Sequence, residues 1–181
     1  SLQKQKSLKL KLSKILPTNH YSRKNLGYLI AMIKNPETII ETDDDNIPLK
    51  NFFSKKTTTK QNSYISKNAG WVNVYKFFTK KNIWPRGFAL EKLQTPLTKQ
   101  LKFSKVISPI QQGLADKNPD VDAIYRLTNK LPIKFNLSKN ISLGKGSICP
   151  FNSQNTSWLR DAYPLMYLPS YCSFRMTDIW R

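Results

Sequence analysis

Carboxylates are scarce in this sequence: 11 Asp and Glu stand against 30 Lys and Arg in 181 residues, a formal net charge of +19. Such an imbalance bears on partners and solubility rather than on fold. It fits an anionic ligand such as nucleic acid, an acidic membrane or a nucleoside diphosphate. The spread of lysines over the whole length, with abundant Asn and Ile, also matches an AT-rich coding bias. Histidine is nearly missing. With His20 alone, a His-dependent catalytic triad has a single candidate and a zinc site little support. Cys149 and Cys172 form no CxxC pair, so they allow one disulfide or none and leave the redox compartment open. No run approaches the roughly 20 apolar residues of a membrane span, and no secretory hydrophobic segment is present. What is there is globular in composition, 39% hydrophobic and 12% aromatic, and long enough for one α/β core or part of a larger one.

Residues 1–16 interleave lysines with Leu8, Leu10, Leu12, Ile15 and Leu16. The alternation predicts a basic arm or edge strand over 1–21. From Ser22 the pattern changes. Leu26, Leu29, Ile30 and Ile33 recur at helical spacing, Ser22 is placed to cap the start, and Asn35-Pro36 ends the run. Arg23 and Lys24 sit in the first turn, where carboxylates are normally favoured; cations belong there when an anion docks at the helix N-terminus. A short apolar strand, 38–41, then runs into Asp43, Asp44 and Asp45. Helix, turn, strand and acidic tip suggest an αβ unit of a parallel or mixed sheet, whose ligand sites lie at strand carboxyl ends. Further on, 54–68 reads as a surface loop, 71–78, 106–110, 123–127 and 147–151 as strands, 84–87 as a turn, and 158–162 as a helix.

Three adjacent carboxylates repel one another unless a cation neutralises them. All-oxygen ligands suit Mg²⁺ or Mn²⁺, which complete their shell with water and substrate phosphate. The plain alternative is a solvated acidic turn.

Several blocks, in order, resemble the STELLO (DUF288) glycosyltransferases: RKNLGYLIAM at 23–32, IIETDDD at 39–45, WPRG at 84–87, IQQGL at 110–114, PDVD at 119–122, PFNSQNT at 150–156 and TDIWR at 177–181. A more distant similarity is to the reversibly glycosylated polypeptides. The resemblance implies a GT-A-like α/β fold, a mixed sheet flanked by helices, over 22–181. It also implies a nucleotide-binding βαβ region ahead of residue 22 that this sequence does not show, so the domain is expected to be incomplete at its N-terminus.

The implied activity is transfer of a sugar from a UDP-linked donor with Mn²⁺ or Mg²⁺, on a glycan, protein or lipid acceptor, and in the Golgi if the plant relatives are a guide. On this reading Asp43, Asp44 and Asp45 hold the metal in a DxD-type site. Arg23, Lys24 and Arg86 contact the diphosphate, and Asp120 and Asp122 bind donor or acceptor sugar. Asp178 is the candidate catalytic base if the reaction inverts. For Arg86, a structural role in its turn is an equal alternative. Asp120 and Asp122 are also residues that serve turns. Trp71, Trp84 and Tyr28 are candidates for stacking on base or sugar, although core packing suits each better. Two rivals remain: a basic nucleic-acid-binding module, which lacks a recognised motif, and an inactive, partner-binding family member.

Overall fold

The structure is a computed structural model that describes residues 2–50, 52, 58–97 and 100–181. It is a mixed α/β arrangement in which three small sheets are flanked by short helices. The first sheet carries the strands β1 (Thr38–Thr42), β5 (Ile110–Gln112) and β8 (Asn155–Leu159), in the order β1-β8-β5. Both of its pairings are antiparallel, which corrects the parallel or mixed sheet expected around the acidic tip. The register explains the choice. Ile39 lies opposite Trp158, and the two fill one core with Tyr28, Ala162, Met166 and Leu168. Burying that indole beside β1 requires a strand from far along the chain, and an antiparallel return supplies it.

The second sheet has the order β4-β2-β6, from β2 (Lys60–Ser66), β4 (Leu101–Ile107) and β6 (Ile141–Leu143), with one antiparallel and one parallel pairing. Thus part of the polar 54–68 stretch, read as a loop, is a strand; residues 53–57 lie outside the described residues. The third is a two-stranded parallel pair, β3 (Gly70–Trp71) with β7 (Ser147–Ile148). A second core of Tyr75, Ile83, Val121, Tyr125 and Ile133 sits away from the first.

The helices revise several expectations. The basic N-terminal stretch folds as α1 (Leu2–Ser7) and α2 (Lys11–Ile15), not as an edge strand. Only the linker between them is extended, as at Leu10 (φ −110°, ψ 131°). Gln5 is the staple. Its buried amide donates to the carbonyls of Ser13 and Leu16, and its oxygen accepts from Arg23 Nε at 2.8 Å.

The helix expected from residue 22 is present: a 3-10 turn, Tyr21–Arg23, leads into α3 (Lys24–Ile33). Its cap is His20, whose Nδ1 accepts from the Ser22 backbone N–H, while Ser22 itself is buried. Asn35, at φ 51°, ends it in the left-handed conformation that Asn tolerates. The buried stripe is Tyr28, Ala31 and Met32 rather than the whole series read from sequence. Leu26 is buried, but Ile30 and Ile33 are 41% and 69% exposed.

Residues 123–127, read as a strand, belong to α4 (Ala123–Thr128). Half of 71–78 is a 3-10 turn (Val74–Phe77), and the helix expected at 158–162 is the end of β8 followed by 3-10 turns (Arg160–Met166). At these places alternation or apolar content alone misassigned the period, because aromatic residues bury equally well from either backbone.

Candidate functional site

The end of β1, the start of β8 and the end of β5 come together at one edge of the first sheet, since Thr42 is opposite Asn155 and Gln112 opposite Thr156. Three sequence blocks therefore emerge side by side: the aspartates at 43–45, the loop from Gly113 to Asp122, and residues 150–154. Polar bonds tie them. Asn46 donates to the Gln154 carbonyl and to Thr42 Oγ1, and Gln154 Nε2 reaches the Asn118 carbonyl at 3.4 Å.

Asp43 is held in place, whereas Asp44 and Asp45 are exposed on the turn. Asp43 Oδ1 accepts from Tyr21 Oη at 3.2 Å and from Lys24 Nζ at 3.3 Å. Lys24 also donates to Tyr21 Oη at 2.8 Å and lies 3.5 Å from Glu41 Oε1. Burial alone would lower the Lys24 pKa, but the Tyr21 hydroxyl and then the carboxylates of Glu41 and Asp43 raise it above the ordinary value. The ammonium is therefore a fixed positive charge at the mouth of the turn. The Tyr21 hydroxyl, which also bonds Ser153 Oγ at 2.7 Å, is pushed up by burial.

Beside this cation opens a depression of about 430 Å³ lined by Thr18, Asn19, His20, Tyr21, Arg23, Lys24 and Phe174. The rings of Tyr21 and Phe174 meet edge to face at 5.7 Å, and those of His20 and Phe174 at 6.4 Å. His20 Nε2 is 2.8 Å from the Cys172 carbonyl. Because its Nδ1 accepts from an N–H, the tautomer consistent with both contacts carries the proton on Nε2. Cations, aromatic rings and the α3 N-terminus thus share one concavity, which is the arrangement the first-turn cations implied.

Arg86, Asp120 and Asp178, assigned separately from sequence, form one cluster. Arg86 Nε donates to both Asp120 oxygens at 2.9 Å, and its Nη atoms donate to Asp178 Oδ1 and Oδ2 at 3.1 and 2.9 Å. A further bond from Nη1 to the Arg175 carbonyl completes the clamp. Arg86 is accordingly the structural alternative, a bridge joining the 84–87 turn, the 113–122 loop and the 173–181 segment. Asp178 is 4% exposed with both oxygens engaged by Arg86, a geometry that suits a positioning carboxylate. Asp122 is the N-cap of α4, its Oδ1 accepting from the N–H groups of Ile124 and Tyr125.

Glu41, which the acidic string from 41 to 43 offered in sequence as another register of the metal site, has a buried structural role that sequence reasoning missed. It is buried at the core side of β1, where it accepts from Tyr28 Oη, from Trp158 Nε1 at 3.0 Å and from Arg181 Nη2 at 3.1 Å to both oxygens. Arg181 is in turn surrounded by the rings of Trp158, Phe151 and Tyr28, 4.9 to 6.0 Å away. Period-two alternation places Glu41 on the same face as buried Ile39, and that was the available signal. The candidate stackers Tyr28, Trp71 and Trp84 are packing residues. Trp71 meets Phe88 and Trp84 meets Tyr125. The thiols of Cys149 and Cys172 are free.

Among the described residues, no three His, Cys, Asp or Glu side chains gather as a ready-made metal cage. The turn does offer what Mg²⁺ or Mn²⁺ require of a protein, one or two carboxylates, with water and substrate phosphate supplying the rest.

No family model matches the chain. Two proteins of Arabidopsis thaliana, described as probable glycosyltransferase STELLO1 and probable glycosyltransferase STELLO2, are each 28% identical over 202 aligned residues. The alignments take in all of this chain but 26% of each relative, so the chain spans about a quarter of the length of the proteins it matches. Matched from its first residue to its last, with the ordered blocks pointing the same way, the chain is similar to one part of the STELLO proteins.

Proposed function

We propose that this chain is part of a GT-A-like glycosyltransferase in which the depression at the α3 N-terminus receives the diphosphate of a nucleotide-sugar donor, UDP-linked as the family resemblance implies. The observation that carries the reading is the placement of Lys24. A permanently charged ammonium links the depression to Asp43, at the tip of β1. The names of the two relatives support the reaction class.

In this scheme the side chains of Arg23 and Lys24 bind the phosphates. Asp43 and Asp45 would hold Mn²⁺ or Mg²⁺. A bound divalent ion would supply neutralisation of the charge that develops on the departing diphosphate. Lys24 supplies a second, fixed share of that neutralisation, and its two carboxylate neighbours and Tyr21 keep it aimed. The His20, Tyr21 and Phe174 rings wall the depression and restrict water. The Arg86 bridge anchors the segment bearing Phe174, so Asp120 and Asp178 act through position. Acceptor, sugar and stereochemistry follow from parts of the site that these residues do not specify.

The test is thermal melting with Mn²⁺, with a UDP-sugar and with both, on wild type, Asp43→Asn/Asp45→Asn and Lys24→Met. Ligand bound by the native state alone raises the melting temperature. A joint rise in the wild type that either variant abolishes supports the site. A joint rise left intact in both variants would place the ligand elsewhere.

A further inference from the structure

The second sheet turns its apolar side outward. On one face, cross-strand register puts Lys60 beside Ile107, Asn62 beside Lys105 and Tyr64 beside Phe103; at its far end the buried Ser66 lies between Leu101 and Leu143. On the other face lie Gln61, Ser63 and Ile65 with Lys102, Ser104 and Val106. Ser63 is 1% exposed and hydrogen-bonds Ser142, while on the first face Ile107 is 70%, Phe103 59%, Leu143 41% and Tyr64 36% exposed. A sheet with one solvated face normally does the reverse, burying apolar residues and presenting polar ones. The Tyr64 and Phe103 rings, 4.9 Å apart, extend the apolar surface across two strands. Exposed apolar area of this kind, interrupted between Ile107 and Phe103 by the Asn62–Lys105 pair, marks an interaction surface.

Charge selects the occupant. The strands β2, β4 and β6 contain no Asp or Glu, and between Asp45 and Asp116 Glu91 is the sole acidic residue. The second sheet therefore carries Lys60, Lys102 and Lys105 without a counterion in its own strands. Exposed apolar residues and aromatic rings interspersed with Lys60 and Lys105, whose long stems let the ammonium groups reach upward, match an anionic bilayer surface, hydrocarbon beneath phosphate. Nucleic acid would use the lysines and the rings, but it offers nothing to Ile107 and Leu143.

We propose that the Tyr64–Phe103 face of the β4-β2-β6 sheet is a membrane-contacting surface that binds an anionic lipid headgroup layer and inserts Phe103 and Ile107 below it. This does not depend on the transferase reading, since none of these residues belongs to the α3 depression.

The experiment uses the 181-residue chain carrying Phe103→Trp, with vesicles of phosphatidylcholine alone or mixed with phosphatidylserine. Binding is followed by flotation and insertion by the tryptophan emission, with the unsubstituted chain as the fluorescence background. Anionic vesicles should be bound and the emission shifted to the blue, with neutral vesicles weaker by about tenfold or more. Lys60→Glu/Lys105→Glu should abolish the binding. Ile107→Ser, at an exposed position that leaves the fold intact by circular dichroism, should weaken it. Emission that does not shift, or equal binding by the Lys60→Glu/Lys105→Glu variant, overturns the proposal. So does tight binding of single-stranded DNA that the same substitutions abolish while vesicle binding is absent, because the surface would then be a nucleic-acid platform.

Discussion

Removing the Arg181 side chain should cost this fold a large share of its stability. Glu41 and Arg181 side chains are 2% and 3% exposed and face each other through two contacts of 3.1 Å. With Arg181→Met, the Glu41 carboxylate stays buried beside Tyr28 and Trp158. Its nearest remaining cation is Lys24, at 3.5 Å. Stripping one partner from a buried pair typically costs about 3–5 kcal/mol, against a total stability of roughly 5–15 kcal/mol. For a chain of this size, a urea m-value of about 2 kcal/mol/M lowers the denaturation midpoint by roughly 1.5–2.5 M.

The double variant Glu41→Gln/Arg181→Met should recover most of the loss. Its amide oxygen still accepts from Trp158 Nε1, its NH2 donates to the Tyr28 hydroxyl, and no unpaired charge remains. A double-mutant cycle by urea denaturation, followed by circular dichroism, measures the coupling. If the Arg181→Met variant loses less than about 1 kcal/mol, or if the double loses the sum of the singles, the carboxylate is not desolvated as the structure has it.

Arg86→Lys keeps the charge but loses the fork that grips Asp120 and Asp178, so the melting temperature should fall by roughly 5–10 °C. Asp122→Ala should cost about 1 kcal/mol through loss of the α4 cap, Asp122→Asn should restore most of it, and titration of nucleotide should not distinguish the three. Burial pushes the Cys149 thiol up to about 11 from an ordinary value near 9. Its proton is therefore held more tightly in the folded state, and the stability this supplies is complete below about pH 9 and lost as pH rises toward 11. The advantage of wild type over Cys149→Ala should shrink by about 2 kcal/mol across that window in urea titrations at fixed ionic strength.

Local chemistry determined several features of this protein by sequence alone. Asn35-Pro36 ends a helix because the first residue tolerates left-handed backbone and the second cannot continue the hydrogen-bond ladder. The 84–87 turn needs its glycine: Gly87 sits at φ 77°, and a Cβ there would meet Ile179 at 2.8 Å. The ordered motif blocks were legible too, and so was the tension between Arg23, Lys24 and the positive end of α3 that marks the depression.

Tertiary structure decided the rest, because it depends on partners remote in the chain. The buried face of α3 was settled by Trp158, whose neighbours Tyr28, Ala31 and Met32 outcompete the more regular Ile30 and Ile33. Pairing of β1 with β8, more than a hundred residues away, made the sheet antiparallel and buried Glu41 against Arg181. Arg86 has donors enough for a phosphate, but Asp120 and Asp178 reach it first. A side chain's chemistry can be read from its type; which groups satisfy it depends on where the fold brings them.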